Sequence, residues 1–166
     1  MKKIVLILSV LFILPFSTFS MANGAFISFQ ENIFYTGHDE KSGGASYTIK
    51  PDNTNLFLEV FTGWNFTKNS FSLSGIIDLR LFEAEILPNF NIYGNAGVKA
   101  GLDFYEGAKI SAAPRIALGL NLIFLDGYLE IFLQQAVQQN VRYNFASGEL
   151  DYPLELPLGL GFRIWD

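Results

Sequence analysis

The chain has 166 residues, 50% of them apolar and 16% aromatic, with 16 acidic against 11 basic residues, a net charge of −5 and no cysteine. An acidic balance argues against holding nucleic acid or an anionic lipid surface by bulk electrostatics. Without cysteine there is no lipid anchor on an N-terminal thiol, no disulfide framework and no thiolate metal site.

The N-terminus reads as an export signal. Met1-Lys2-Lys3 is positive, Ile4 to Phe16 is apolar almost throughout, and Ser20-Met21-Ala22 supplies small residues where a signal peptidase reads. The expectation is a secretory signal peptide over 1–22, cut after Ala22, and a single domain over 23–166. Pro15 interrupts the apolar run, which is shorter than the roughly 18 to 20 residues a spanning helix needs. No later apolar run is long enough to span a bilayer as a helix. Apolar residues are instead interleaved with polar ones, as in strands.

A first strand is expected at about 25 to 35, where Ala25, Ile27, Phe29, Ile33 and Tyr35 alternate with Ser28, Gln30 and Asn32. Glu31 breaks its apolar face. Thr36 to Gly44 reads as a polar loop, Ala45 to Lys50 as a short second strand, and Pro51-Asp52-Asn53 as a turn. The third strand, about Asn55 to Phe66, carries Leu56, Leu58, Val60, Thr62 and Trp64 on one face and Glu59 on the other, beside Phe57 and Phe61. After Thr67-Lys68-Asn69, strand four sets Phe71, Leu73, Ile77, Leu79 and Leu81 against Ser70, Ser72, Ser74, Asp78 and Arg80. Glu83 to Asn89, with Pro88, reads as a connection that could hold one helical turn.

Strand five has the strictest alternation. Phe90, Ile92, Gly94, Ala96, Val98, Ala100, Leu102 and Phe104 make one face; Asn91, Tyr93, Asn95, Gly97, Lys99, Gly101 and Asp103 make the other. Such a run is longer than the usual five or six residues of a soluble strand and suits a membrane barrel. Strand six puts Ile110, Ile116, Leu118, Leu120 and Leu122 on its apolar face and Lys109, Ser111 and Arg115 on the other, with Pro114 predicting a bulge or an unpaired site. Asp126-Gly127 is a two-residue type I′ hairpin signal. Strand seven follows with Glu130, Gln134, Gln138 and Arg142 inward, then a turn at Ala146-Ser147-Gly148. Strand eight carries Asp151, Glu155 and Arg163 inward.

Eight strands in 23–166 is about 18 residues per strand with its turn, the scale of the smallest membrane barrels. The expected fold is therefore an all-β, eight-stranded antiparallel up-and-down transmembrane β-barrel behind a cleaved signal peptide. Tyr93-Gly94-Asn95-Ala96-Gly97, Ala113-Pro114-Arg115, Leu129-Glu130-Ile131-Phe132 and Leu158-Gly159-Leu160-Gly161-Phe162-Arg163 resemble the small OmpA-like and OmpX-like bacterial outer-membrane barrels. That resemblance implies outer-membrane localisation, a monomer in outer-membrane lipid, and folding by the barrel-insertion machinery. The chain differs from the resemblance at its end, where Asp166 stands in place of a lipid-facing aromatic residue and Trp165 is in the inward phase.

The charges on the inward faces, Glu59, Asp78, Arg80, Lys99, Asp103, Lys109, Arg115, Glu130, Arg142, Asp151, Glu155 and Arg163, are expected to fill the lumen as a structural network. Hairpin counting puts Arg115, Gln138 and Glu155 in one row, Arg142 opposite Asp151, and Glu130 opposite Arg163. An Arg115 to Glu155 bridge over Gln138 follows from that row.

His38, Asp39, Ser42 and Ser46 are the one constellation with catalytic residue types, and nothing fixes their spacing. No catalytic, metal or cofactor site is assigned, and the chain is read as a non-enzyme. Its expected role is structural or surface-interacting, with at most a narrow pore and with Thr36 to Gly44 as the loop to meet an outside ligand. Two other readings stay open: a soluble periplasmic lipocalin-like barrel for an apolar ligand, and a lipid-modifying enzyme. The lipocalin reading would turn the apolar faces inward.

Overall fold

Period-two alternation becomes ten stretches of strand in the computed structural model of the chain, which describes residues 19–31, 40–105 and 107–166. They are β1 (Phe19–Glu31), β2 (Glu40–Pro51), β3 (Leu56–Asn65), β4 (Ser70–Leu87), β5 (Phe90–Asp103), β6 (Lys109–Phe124), β7 (Leu129–Gln139), β8 (Val141–Asn144), β9 (Leu150–Asp151) and β10 (Leu154–Trp165). β7 and β8 form one stave and β9 and β10 another, so the barrel has eight. Consecutive staves pair antiparallel, and β1 pairs with β10 to close the ring. Closure leaves the sheet no free side, the condition for a sheet to stand in hydrocarbon.

Two turns set the register of the last three staves. Leu125 (φ 55°), Asp126 (φ 55°, ψ 35°) and Gly127 (φ 98°) are all left-handed and make a tight four-residue connection, Leu125 to Tyr128, closed by the Tyr128 N–H donating to Leu125 O at 3.1 Å, in place of the two-residue turn expected. Phe124 then faces Leu129, and the same count brings Arg115 to Gln138. Past the second turn Glu155 faces Gln138, Arg163 faces Glu130 and Arg142 faces Asp151, the three predicted pairings. At Pro114 the ladder is interrupted: β6 pairs with β7 as far as Arg115 and resumes with β8 at Ala112, in unchanged register. The missing proline N–H thus gives a local gap and not a slip.

Other boundaries differ from the sequence reading. The first strand begins at Phe19 and not at about 25, because β2 runs down to Pro51 and β10 to Trp165, and both need a neighbour there. Ala22 is fully buried between its partners Thr48 and Trp165. Ile33 and Tyr35 lie outside the described residues. The second strand is Glu40–Pro51 and not Ala45 to Lys50. Ser42 to Gly44, assigned to a loop by composition, pair on both sides, with Gly43 between Ile27 and Trp64, and Lys41 pairs with β1. The ladder there needs only backbone, so composition misled.

β4 also continues, to Leu87, through the stretch given a possible helical turn. Its extension pairs with β5 across two irregularities, between Arg80 and Phe82 and between Glu85 and Leu87. The first makes Leu81 an extra residue and reverses the phase, so Phe82 faces out and Glu83 inward beside Arg80.

The burial pattern is inverted relative to a soluble protein. Val98 (53% exposed), Leu118 (56%) and Ile116 (62%) stand on the outer face, while Asp78, Arg115, Glu130, Gln138, Glu155 and Arg163 are buried. This arrangement overturns the lipocalin-like alternative, which needs the apolar face inward.

Candidate functional site: the barrel lumen

The lumen is crossed by a layer of charged and aromatic side chains. Arg163, from β10, is its hub: Nη2 reaches Glu59 Oε2 at 3.4 Å, Nη1 reaches Glu130 Oε2 at 3.4 Å, and Nε donates to Thr48 Oγ1 at 3.3 Å. Its guanidinium lies 4.2 Å from the Phe132 ring centroid. Glu130 also accepts from Asn121 Nδ2 and from Trp165 Nε1, both at 2.9 Å. A carboxylate buried to this extent is tolerable only with such partners.

Beside the hub, Arg80 is sandwiched between the rings of Tyr93 (4.2 Å) and Phe57 (4.4 Å), and its Nη1 binds Glu83 Oε2 at 2.9 Å. Tyr93 is fully buried and donates its hydroxyl to Gln134 Oε1 at 3.2 Å. Its ring lies against Gly119 on the next strand, where any Cβ would collide with the ring.

Arg115 Nη1 binds Asp78 Oδ2 at 3.0 Å, not Glu155. Both partners flank Gly97 in one row across β4, β5 and β6, and Asp78 leans over the bare glycine to its partner. On the other side Gln138 blocks the route to Glu155: its Nε2 donates to Glu155 Oε2 at 2.6 Å, and Arg142 takes the remaining oxygen. The predicted Arg115 to Glu155 bridge is therefore replaced by two separate pairs. Asp151 stands at the rim, its side chain 59% exposed, and meets Arg142 only at 3.8 Å.

The remaining predicted charges sit towards the end that holds the connections 66–69 and 145–149. Lys99 Nζ is 5.8 Å from the Phe61 centroid and Lys109 Nζ 5.1 Å from that of Tyr105, while Asp103 accepts the Tyr105 N–H at 2.8 Å. All three border a cavity of about 190 Å³. A second cavity, about 490 Å³, lies at the end with the chain termini, is bordered by Glu83, Asp126, Glu130 and Asp166, and shares no bordering residue with the first.

Of the catalytic residue types weighed in the sequence, Ser42 borders the first cavity and Ser46 is buried; His38 and Asp39 lie outside the described residues. Sequence reasoning singled out charges and so passed over Tyr93, Gln134, Asn121, Thr48 and Trp165. Tyr93, Asn121, Gln134 and Trp165 were legible by phase alone. Lys68 was assigned to a turn, and Glu83 was hidden by the bulge.

No protein-family model matches the chain, and no curated protein matches it. Solved structures do. Neisserial surface protein A superposes with a TM-score of 0.63 at 9% identity, over 88% of this chain and 96% of that one. The fold is that of a small outer-membrane barrel. The N-terminal β-barrel domain of OprF from Pseudomonas aeruginosa gives a TM-score of 0.54 at 14% identity, over 87% of this chain and 97% of that one. At such identities the likeness is one of fold: eight antiparallel staves, closed, with strands long enough to cross a bilayer.

Proposed function

We propose that the protein is an integral outer-membrane β-barrel with a structural or surface-interaction role, closed along its lumen by side chains and passing at most a narrow flux of ions. The observation that carries this reading is the apolar outer face around a charged, hydrogen-bonded interior, the arrangement a barrel needs in hydrocarbon. Aromatic residues support it. Trp64, Phe66, Phe71, Phe104 and Phe145 are exposed near one end and Phe82, Phe124 and Tyr128 near the other, as interfacial girdles would be. The fold neighbours are outer-membrane barrels, which favours the same compartment.

The proposal includes export on residues 1–22 with cleavage after Ala22, insertion by the barrel-folding machinery, and a monomer in outer-membrane lipid. Cleavage there would take Phe19–Ala22 from β1, so the N-terminus of the purified protein, Asn23 or earlier, decides the point. The periplasm is assigned the end with the termini. Connections 66–69 and 145–149 would then face outside, and both are too short to grip a partner. That favours a structural role, with the stretch from Thr36 to Gly44 as the candidate for an outside ligand.

Fractionation followed by comparison of boiled and unboiled samples on a detergent gel tests the reading. Expected are outer-membrane recovery, a faster-migrating unboiled band, and little or no conductance in planar bilayers. Recovery in the soluble periplasmic fraction would overturn it.

A further inference from the structure

β4 outruns its neighbour on one side. β3 begins at Leu56, opposite Leu79, and the last backbone bond on that side is the Arg80 N–H donating to Asn55 O at 2.7 Å. Among the described residues nothing pairs with 81–87 on the β3 side, although β5 accompanies them on the other as far as Leu87 opposite Phe90. The phase of β5 tells which groups are left over. It runs unshifted along β6, where the Ile123 N–H donates to Asn89 O, so its odd residues bond to β6 and its even ones to β4. Gly94 and Ile92 therefore bond to Phe82 and Ala84, and Glu83 and Glu85 turn their N–H and C=O groups to the open side. Residues 81–87 thus form a short sheet edge outside the closed ring, at the end that holds the chain termini.

The surroundings say what such an edge can take. Leu81, Phe82, Ile86 and Leu87 are all exposed, so the edge is apolar as well as unpaired, the combination that templates a further strand. Among the described residues, the rim at this end carries the exposed Asp52, Glu83, Glu85, Asp126 and Asp166 against Lys50. Glu83 already holds Arg80 at 2.9 Å, and Glu85 Oε1 accepts the Asn89 N–H at 3.1 Å. The open bonding capacity is therefore that of the main chain, and the acids set the sign of charge that can lie beside it. A second copy of this chain is disfavoured, since edge-to-edge pairing brings Glu83 and Glu85 against the same carboxylates, and like charges across a strand pair repel.

We propose that residues 81–87 are a docking site for an extended protein segment in which basic and apolar residues alternate, added to β4 as a further strand. Its main chain bonds to that of Glu83 and Glu85, its basic side chains lie beside their carboxylates, and its apolar ones lie beside Phe82 and Ala84. Only the compartment rests on the membrane reading: with this end in the periplasm, the partner is a periplasmic protein.

The test uses the full barrel refolded in a neutral, sugar-headed detergent and a short capped peptide of alternating lysine and valine, with a fluorophore read by anisotropy. Salt is held at about 0.15 M, which screens exposed charges beyond roughly 8 Å. The parent binds saturably, and the amides of Glu83 and Glu85 become protected from hydrogen exchange in the complex. The same peptide N-methylated on its lysine backbone nitrogens keeps every charge but loses the donors, and binds about tenfold more weakly or worse. Glu85→Gln weakens binding severalfold. Glu85→Pro removes an N–H that points to the open side and leaves the bonds to β5, so it weakens binding about tenfold beyond Glu85→Gln. The unboiled gel band shows that each variant is folded, and the N-methylated peptide decides the matter on the parent alone. No binding by the folded parent, equal binding of the N-methylated peptide, or equal binding by Glu85→Pro and Glu85→Gln overturns the proposal without touching the membrane assignment. Amide protection at Glu85 that rises with barrel concentration in the absence of peptide overturns it in favour of a second copy.

Discussion

Reversal of Arg115 is the sharpest test of the lumen network, because sequence and structure name different partners for it. Arg115 and Asp78 have side chains 4% and 6% exposed and meet at 3.0 Å. At that distance, and with an effective dielectric of about 20, their attraction is about 5 kcal/mol before desolvation is counted. Removing one partner of a buried pair costs about 3 to 5 kcal/mol, chiefly from the charge left behind. Arg115→Glu goes further, since it faces Asp78 with a second carboxylate. The expected result is a loss of at least about 3 kcal/mol in urea unfolding from detergent or liposomes, with a weakened or absent fast-migrating band. Asp78→Arg in the same chain restores the pair and should recover more than half of that loss. Adding Glu155→Arg instead should recover nothing and should lower stability further, because Arg142 and Gln138 lose their acceptor. Rescue by Glu155→Arg and not by Asp78→Arg would refute the pairing and, with it, the register of β4 against β5.

Other outcomes follow from the same geometry. Val98→Arg or Leu118→Arg puts a cation on the outer face and should cost about 2 to 4 kcal/mol near the bilayer midplane, read by unfolding in liposomes; insertion as good as the parent's would mean that the face does not meet lipid. Gly119→Ala sets a methyl group against the buried Tyr93 ring and should cost about 1 to 3 kcal/mol by overpacking, whereas Gly159→Ala, whose Cβ would meet Gln134 O at an ordinary 3.8 Å, should cost much less. Since the chain lacks cysteine, single cysteines report topology directly: Ser147→Cys should react with an impermeant maleimide on intact cells and Asp126→Cys should not, the reverse labelling inverting the barrel.

How much of this was legible depended on the kind of information each feature needs. Alternation alone gave the outer and inner faces of β3, β5 and β6, because period two is a local property of the chain. Asp126-Gly127 and Ala146-Ser147 extended that to register, since a tight turn fixes which residue faces which, and the pairs Arg115 with Gln138, Gln138 with Glu155 and Glu130 with Arg163 follow by counting. Lys41 to Gly44 and Glu83 to Leu87 were misread because glycine-rich or acidic strands look like loops when the ladder hydrogen bonds that hold them come from distant partners.

The Arg115 partner shows where counting stops. Two residues that flank a third across adjacent strands are about 9 to 10 Å apart in the sheet, a span that long side chains bridge if the middle residue leaves room. Row geometry offered Arg115 two such neighbours: Glu155 beyond Gln138, and Asp78 beyond Gly97. The second could not be read from the turn at Pro88-Asn89. Counting inward from Leu87 opposite Phe90 without irregularities would set Asp78 opposite Lys99, and only the two shifts in β4 bring it opposite Gly97. A bulge leaves no unambiguous mark in the sequence, yet each one moves every later pair by one residue. Once the rows are known, the choice between the two acids is steric. Gly97 has no side chain to interpose, whereas Gln138 fills its place and donates to Glu155 itself, so Arg115 turns to Asp78 and Glu155 is left to Arg142.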